Sequence, residues 1–378
     1  MRYPCALTLL VSLCTLAQTP STETAPVPAQ LPDTFSFKRL QFSGYIDSFY
    51  DLNYNHPPSR LSQLQAFNFT ANKWSLASAT ASISTAPAPV GFRVDVGMGR
   101  VYDAFWLSET SHDGWTRHLL NAYVSVKPAA WKGVQLDFGK FVTSAGAELT
   151  ESHLNWNYSR SLLFAFGPYY HTGLRATVPV GEKWTVGGAV VTGWNTVRDN
   201  NTGKTVGFTT TGNFGKVFIS NTCYAGPENT GINRGWRNFY DSVVTINPSS
   251  RVSAYFNFDI GNNRFPSAPS STFWGAAGAA RIRLSRNFAL APRLEYYSDR
   301  DGFWTGSPNA FREFTLTAES KLNDNLISRI EFRKDWSREP FFTRGPSAWL
   351  ANHQTMLVAG VMIVLNPRLL DFSSAPGK

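Results

Sequence analysis

The residue types that could perform chemistry are thinly spread along the chain. The six histidines are His56, His112, His118, His153, His171 and His353. None forms an H-x-x-x-H pair of the kind that zinc sites use, and no G-x-S-x-G motif occurs. His153 and His171 flank the segment LNWNYSRSLLFAF, and we expect them to be hydrogen-bonding rim residues rather than a catalytic base. The sequence therefore predicts no enzyme, no metal site and no cofactor.

Charged side chains are the residues that could act on a solute, and many recur at every second position. Alternation puts them on one face of a strand, and a face this charged cannot contact lipid, where each arginine or lysine at the midplane costs ~2 to 4 kcal/mol. We therefore predict a wet inner wall that includes Arg93, Asp95, Arg175, Arg281, Arg283, Arg293, Glu295, Arg329, Glu331 and Arg333. They either form ion pairs that solvate the wall or also set ion selectivity. Inward acids and bases nearly balance, so the net charge of +9 favours anions only weakly.

The elements that must position these side chains are extended strands. In RLQFSGYIDSFYDLN, apolar residues take one set of alternating positions and mostly polar residues take the other, which is typical of a strand with one wet face. About 14 to 18 such strands are compatible with the whole pattern. We predict sixteen, with starts near Leu40, Trp74, Gly91, Leu119, Val134, Tyr169, Trp184, Thr205, Val217, Asn238, Arg251, Phe273, Phe288, Phe311, Leu326 and Thr355.

The lengths of the connections alternate along the chain. Connections after odd-numbered strands are long, such as NHPPSRLSQLQ, and those after even-numbered strands are short, such as VGEK. Antiparallel up-and-down barrels of the bacterial outer membrane have this alternation, with tight periplasmic turns and longer outside loops. Trp184 and Trp194 share a predicted face, and ten residues of tilted strand would separate two aromatic girdles by roughly 25 Å. The predicted fold is an all-β transmembrane barrel, wide enough at sixteen strands to hold water.

One insertion, Ser144 to Gly167, breaks the alternation. By the order of connections it is the third outside loop and the longest, and it is rich in aromatic residues. Such a loop would be a liability in water, so we predict that it folds into the barrel and narrows the channel. The alternative is a loop that packs over the rim or against a neighbouring subunit. The polar residues predicted to meet solute are Glu148, Glu151, Asn155, Asn157 and Arg160.

The termini complete the predicted domain organisation. Residues 1–17 have the basic start, apolar run and small-x-small end of a secretory signal peptide, and residues 18–37 are a Pro/Thr-rich linker. The barrel is predicted over residues 38–366, with a C-terminal tail at 367–378. Cys223 is the single cysteine of the predicted mature chain, which excludes a disulfide framework. Charge is spread without blocks of one sign, so nucleic acid is not expected as a partner.

Five segments, in order, resemble the OmpL-like β-barrel porin family of Gram-negative bacteria: GFRVDVGMGR, GKFVTSAGAE, LNWNYSRSLLF, YHTGLRATV and VVTGWN. The resemblance runs from about Leu40 to Leu365 and is best over Gly139 to Asn195. It implies an outer-membrane diffusion channel. Residues carried over from the family-like pattern, as candidates for lumen or loop roles, are Arg93, Asp95, Glu148, Asn155, Ser159, Arg160 and His171.

Three functions remain open at this point. The first is a porin for passive diffusion of small hydrophilic solutes or ions. The second is a solute-selective channel, for example for carbohydrates, in which loop aromatics form a stacking path or instead anchor the rim: Phe105, Trp106, Trp115, Trp156, Phe303, Trp304, Phe341, Phe342 and Trp349. The third is a non-conducting adhesin or structural barrel. Expected partners are outer-membrane lipids and lipopolysaccharide, and a homotrimer is compatible with the size of the barrel.

Overall fold

A computed structural model describes residues 39–109 and 114–371, with side chains up to Leu365. The predicted signal peptide and linker lie outside these residues. The described strands are β1 Arg39–Asn53, β2 Lys73–Thr85, β3 Val90–Met98, β4 Leu119–Val126, β5 Gln135–Val142, β6 Tyr170–Val180, β7 Trp184–Val191, β8 Thr205–Asn213, β9 Val217–Pro227, β10 Trp236–Ile246, β11 Val252–Asn263, β12 Ser271–Arg283, β13 Phe288–Asp299, β14 Asn309–Lys321, β15 Leu326–Ser337, β16 Phe342–Arg344, β17 Trp349–Ala351 and β18 His353–Asp371.

Sixteen of these strands form one closed antiparallel barrel, in which each strand pairs with its sequence neighbour and β1 pairs with β18. The two short strands β16 and β17 form a separate hairpin in the last long loop. The predicted strand count and fold class are confirmed, and every predicted strand start falls within two residues of the observed one. Within the described ranges, no helix combines the length and apolar character needed to cross a membrane.

The last strand runs further than the sequence predicts. It continues to Asp371, although the predicted barrel ends at residue 366. Its extra residues pair with the start of β1, where the register shifts between Phe42 and Gly44. Pro367 lies within that shift, because Phe42 pairs with Arg368 and Gly44 pairs with Leu365. A bulge tolerates a proline that cannot donate a ladder hydrogen bond, so the strand passes through it.

The two faces of the wall separate as the alternation predicts. On β1, Ile46 points outward and is exposed, whereas its neighbour Asp47 points into the barrel and is buried. Outward aromatic residues lie near one end of the barrel, where the rings of Trp274 and Tyr296 are 5.0 Å apart. The girdle prediction is wrong for Trp194. Strand β7 ends at Val191, so Trp194 follows in a loop and is buried inside the barrel mouth.

The connections divide the barrel into a short-turn end and a long-loop end. The long-loop end carries L1 (54–72), L2 (99–118), L3 (143–169), L4 (192–204), L5 (228–235), L6 (264–270), L7 (300–308) and L8 (338–352). L2 contains helix α1, Arg100–Ser108, and L3 contains helix α2, Leu162–Phe166. The side chain of Ser161 caps α2 by accepting a hydrogen bond from the Phe164 amide at 3.0 Å.

Candidate functional site: loop L3 and the inner wall

Loop L3 lies inside the barrel, where it is bound by carboxylates of the wall. Glu295 on β13 accepts hydrogen bonds from the amides of Leu162 and Leu163, at 2.6 and 3.1 Å. Glu331 on β15 accepts from the amides of Tyr158 and Ser159, at 2.5 and 2.9 Å. A loop taken out of water needs partners for its backbone N–H groups, and these two acids supply four of them.

Three arginines of the wall bind the loop in the complementary way, by donating to it. Arg293 forms an ion pair of 2.7 Å with Glu148 and donates to the carbonyl of Ser159 at 2.8 Å. Arg329 donates to the carbonyls of Ser152, Asn155 and Asn157, and Arg333 donates to that of Arg160 at 2.6 Å. All three guanidinium groups are buried. The dense charge of the C-terminal wall is therefore a binding surface for L3.

Apolar contacts fix the centre of the loop against β1 and β18. Tyr158 packs in a buried cluster with Phe49, Val358 and Met362, and its hydroxyl donates to Asp47 at 2.8 Å. Gly360 makes room for the ring, because a Cβ at this position would lie 2.3 Å from a carbon of Tyr158. A side chain on β18 here would occupy the space of the loop.

Four of the five residues predicted to meet solute are instead buried within L3 or between L3 and the wall. Glu148, Asn155, Asn157 and Arg160 are at most 7% exposed. Arg160 donates to the carbonyls at positions 149, 150 and 158, so it holds the loop in shape. Among the five, only Glu151 keeps partial exposure. Such polar side chains suit a buried loop, because they bond backbone groups of the loop that have left the water.

The exposed side of L3 is largely apolar. Leu149 and Leu154 are both exposed, and the Trp156 ring packs at a tilt against Tyr255 with 5.1 Å between ring centroids. The wall binds the polar groups of this part of the loop, so Leu149 and Leu154 point away from it. The sequence pattern gave no sign of this orientation.

The predicted wall residues differ in their surroundings. Arg293, Glu295, Arg329, Glu331 and Arg333 point inward and are covered by L3. Arg93 and Arg175 point inward from β3 and β6 and keep part of their surface exposed, whereas Asp95 is buried. Arg281 is paired with Glu319 at 2.5 Å, and Arg283 is exposed at the end of β12.

A cavity of about 310 Å³ lies between L3 and the wall of β1 to β3, lined by residues that include Arg93, Glu151, His153 and Tyr45. Arg93 approaches Glu151 at 3.7 Å, and the ring of His153 lies 4.9 Å from that of Tyr45. Burial, together with the nearby Arg329 and Arg160, lowers the pKa of His153 to about 4. Burial also raises the pKa of Glu151. His153 is thus neutral near pH 7.

A second cavity, of about 210 Å³, lies against the wall of β5 to β9. Its lining includes Asp137, Arg175, Phe141 and Tyr224. Arg175 bonds Asp137 at 2.8 Å and stacks over the Phe141 ring at 4.5 Å. It also lies 5.5 Å from the ring of Tyr123, which stands on β4 between the two cavities. The wall of β3 to β6 thus presents Arg93, Tyr123 and Arg175 in a row.

Aromatic residues fill much of the long-loop end. One buried cluster joins α1 to L1 and the end of L3, and another joins α2, L4 and β16 to the strands β9 to β14. Most aromatics of the predicted stacking path are in these clusters, including Phe105, Phe303, Trp304, Phe341 and Phe342, and only Trp115 and Trp349 are largely exposed. Arg237 lies over the Trp194, Phe303 and Trp304 rings at 4.8 to 5.1 Å.

The sequence matches the family model described as "Putative beta-barrel porin-2, OmpL-like" over residues 39–365. The chain belongs to this family. Solved structures of similar fold include the in-vitro folded OmpT of Vibrio cholerae in its trimer form (12% identity, TM-score 0.57, 86% of this chain and 98% of that one). They also include the channel DcaP of Acinetobacter baumannii (9%, 0.56, 86% and 97%) and an anion-selective porin from Comamonas acidovorans (9%, 0.54, 86% and 98%). At these identities the likeness shows the fold alone. No curated protein matches the sequence significantly.

Two of the residues that the family resemblance carried over have structural roles in this OmpL-like porin. His171 is buried, its Nδ1–H donates a hydrogen bond to the Gly193 carbonyl at 2.9 Å, and its ring lies 4.3 Å from the Tyr224 ring. Ser159 bonds Arg293 through its carbonyl. The described residues hold no group of three or more His, Cys, Asp or Glu arranged to bind a metal ion.

Proposed function

We propose that this OmpL-like porin is an outer-membrane channel for passive diffusion of small hydrophilic solutes, narrowed by L3. The observation that carries the proposal is the fixed position of L3 inside the barrel. Carboxylates of β13 and β15 bind its backbone, further hydrogen bonds reach it from β9 and β11, and arginines on β3 and β6 still keep part of their surface exposed. A loop fixed inside a barrel reduces the bore without being a mobile plug.

The family and the fold support the location and the class of function. Porin-family barrels and their structural relatives are outer-membrane proteins, which favours a channel over an enzyme. The proposed partners are the surrounding lipids, including lipopolysaccharide, and the diffusing solute. A homotrimer is proposed by analogy with the trimer form of OmpT. The packed state of most loop aromatics favours general diffusion over a carbohydrate stacking path.

Leu154→Trp tests the constriction. Leu154 is exposed and lines the cavity beside Arg93, so a larger side chain should fit without disturbing the core and should occupy space in the bore. We expect single-channel conductance in planar bilayers to fall by roughly a third or more, since current through a narrow pore follows its free cross-section.

The matched control is Leu284→Trp, because Leu284 is equally exposed in a short turn away from L3. Its conductance should equal that of the unsubstituted protein. Equal conductance of all three proteins would refute the constriction. No current from the correctly folded, unsubstituted protein would refute the channel and leave the adhesin or structural barrel.

A further inference from the structure

We propose that the lumen selects small anions, with Arg93 and Arg175 as its anion-contacting residues; this inference rests on the proposed channel. The numbers of inward acids and bases do not decide selectivity, since they nearly balance. What decides it is which member of each ion pair reaches the water, because only exposed charge acts at full strength on a passing ion.

The exposed fractions of the paired side chains are strongly unequal. Arg93 is 40% exposed and its partner Asp95 is 0% exposed. Arg175 is 28% exposed against 4% for Asp137. Arg281 is 22% exposed against 5% for Glu319. In each of these pairs the carboxylate is buried against the wall, and the guanidinium faces the lumen.

Hydrogen bonds of the wall explain why the acids stay buried. Asp95 accepts from the side-chain amide of Asn121 at 2.6 Å. Asp137 accepts from the Ser125 hydroxyl at 2.6 Å and from the Gln135 amide at 2.8 Å. These donors hold the carboxylates against the strands. Each arginine bonds its acid through Nε, so the forked end of the guanidinium extends towards the cavity that its side chain lines.

Glu151 is the acid whose negative charge opposes the exposed arginines. Its effect on a passing ion is the weaker one. Its side chain is 15% exposed, compared with 40% for Arg93 beside it. The other carboxylate of L3, Glu148, is 5% exposed and forms an ion pair with the buried Arg293. The passage therefore offers anions two guanidinium groups on the wall of β3 to β6, with Tyr123 between them.

The short-turn end also carries an excess of positive charge, which is an independent observation. Its seven turns carry six basic residues and two acidic ones. The basic residues are Lys127, Lys132, Lys183, Lys216, Arg251 and Arg286, and the acidic residues are Glu182 and Asp324. A ring of one sign at an opening raises the local concentration of counter-ions. Anions are thus favoured at this entrance as well as in the lumen.

The test is the reversal potential of the refolded protein in a planar bilayer under a tenfold KCl gradient. We expect a chloride-to-potassium permeability ratio of roughly three or more. In Arg93→Gln/Arg175→Gln the ratio should fall at least twofold, because glutamine keeps a donor for each buried acid but carries no charge. Arg93→Lys/Arg175→Lys keeps the charges and should keep the ratio.

The matched control is Arg300→Gln/Arg338→Gln, which removes the same charge from exposed loop positions outside the lumen and should leave the ratio unchanged. A conducting channel with a ratio of one or less would overturn the anion inference while leaving the channel intact. A ratio that survives the glutamine pair, or that falls equally in the control, would overturn the assignment to Arg93 and Arg175. Absence of current in every protein would instead remove the proposed function itself.

Discussion

At the scale of single residues, the position of L3 depends on a glycine that the sequence pattern hides. Gly360 lies on the inward face of β18, where alternation leads one to expect a side chain. The space it leaves is filled by the ring of Tyr158, which comes from L3. Gly275 does the same for Leu163, since a Cβ there would lie 2.5 Å from a methyl group of that residue. Such glycines position the loop by being small.

Gly360→Ala is expected to loosen L3 without unfolding the barrel. The new Cβ would fall 2.3 Å from the Tyr158 ring, so the ring must leave its cluster or the loop must shift, at a cost of roughly 1 to 3 kcal/mol. Current through single channels should become noisier and larger on average. Limited proteolysis within L3 should be faster.

The control for this change is Gly278→Ala, a strand glycine whose added Cβ would meet nothing closer than 3.9 Å. This variant should resemble the unsubstituted protein in current and in proteolysis. Identical behaviour of the two alanine variants would show that Tyr158 does not hold the loop.

At the scale of elements, the strands were predictable and the inside of the barrel was not. A strand such as β1 faces two different environments along its whole length, so its alternation records both. The burial of Arg160 and Asn157 depends on strands that follow more than 130 residues later, which no local pattern encodes. The position of Trp194 was also unpredictable from local pattern. Its spacing from Trp184 predicts a shared strand face, but β7 ends at Val191, before Trp194 is reached.

The docking of L3 should weaken as pH falls. A histidine in the released loop titrates near its ordinary pKa of 6.5, whereas burial lowers the pKa of docked His153 to about 4. Protons therefore favour the released loop between these values, by at most about tenfold per pH unit. The raised pKa of Glu151 acts in the opposite direction. Recordings from pH 7 to 4 should show more frequent excursions to a wider state.

His153→Phe isolates the histidine, because it keeps a ring beside Tyr45 and leaves Glu151 in place. The excursions that appear between pH 6.5 and 4 should be reduced in this variant. If the two proteins respond to pH alike, another group controls the docking.

At the scale of the whole molecule, the barrel wall has an inner and an outer face. The inner face from β13 through β18 to β1 bonds L3, and partly exposed arginines stand on the inner face of β3 and β6. On the outer face, exposed apolar residues such as Ile330, Leu294 and Val361 would meet lipid. The stability of the barrel in a membrane should therefore depend on whether a substituted side chain points outward or inward.

Ile330→Arg tests that outer surface. Ile330 points away from the lumen in the middle of β15 and is exposed. An arginine there would cost ~2 to 4 kcal/mol in a bilayer. Thr211→Arg is the inward counterpart on β8 and should cost little. Reversible urea unfolding in lipid vesicles measures both, and equal losses would contradict the assignment of the faces.

The distance in the chain between L3 and its binding wall constrains the order in which the barrel is assembled. Glu148 and Arg293 are separated by 145 residues, so the loop is synthesised long before the strands that receive it. Until β13 to β15 join the growing sheet, the backbone groups from Tyr158 to Leu163 lack the carboxylates that bind them. We therefore expect L3 to dock late in biogenesis, and a nascent barrel without its last strands to have a wider bore.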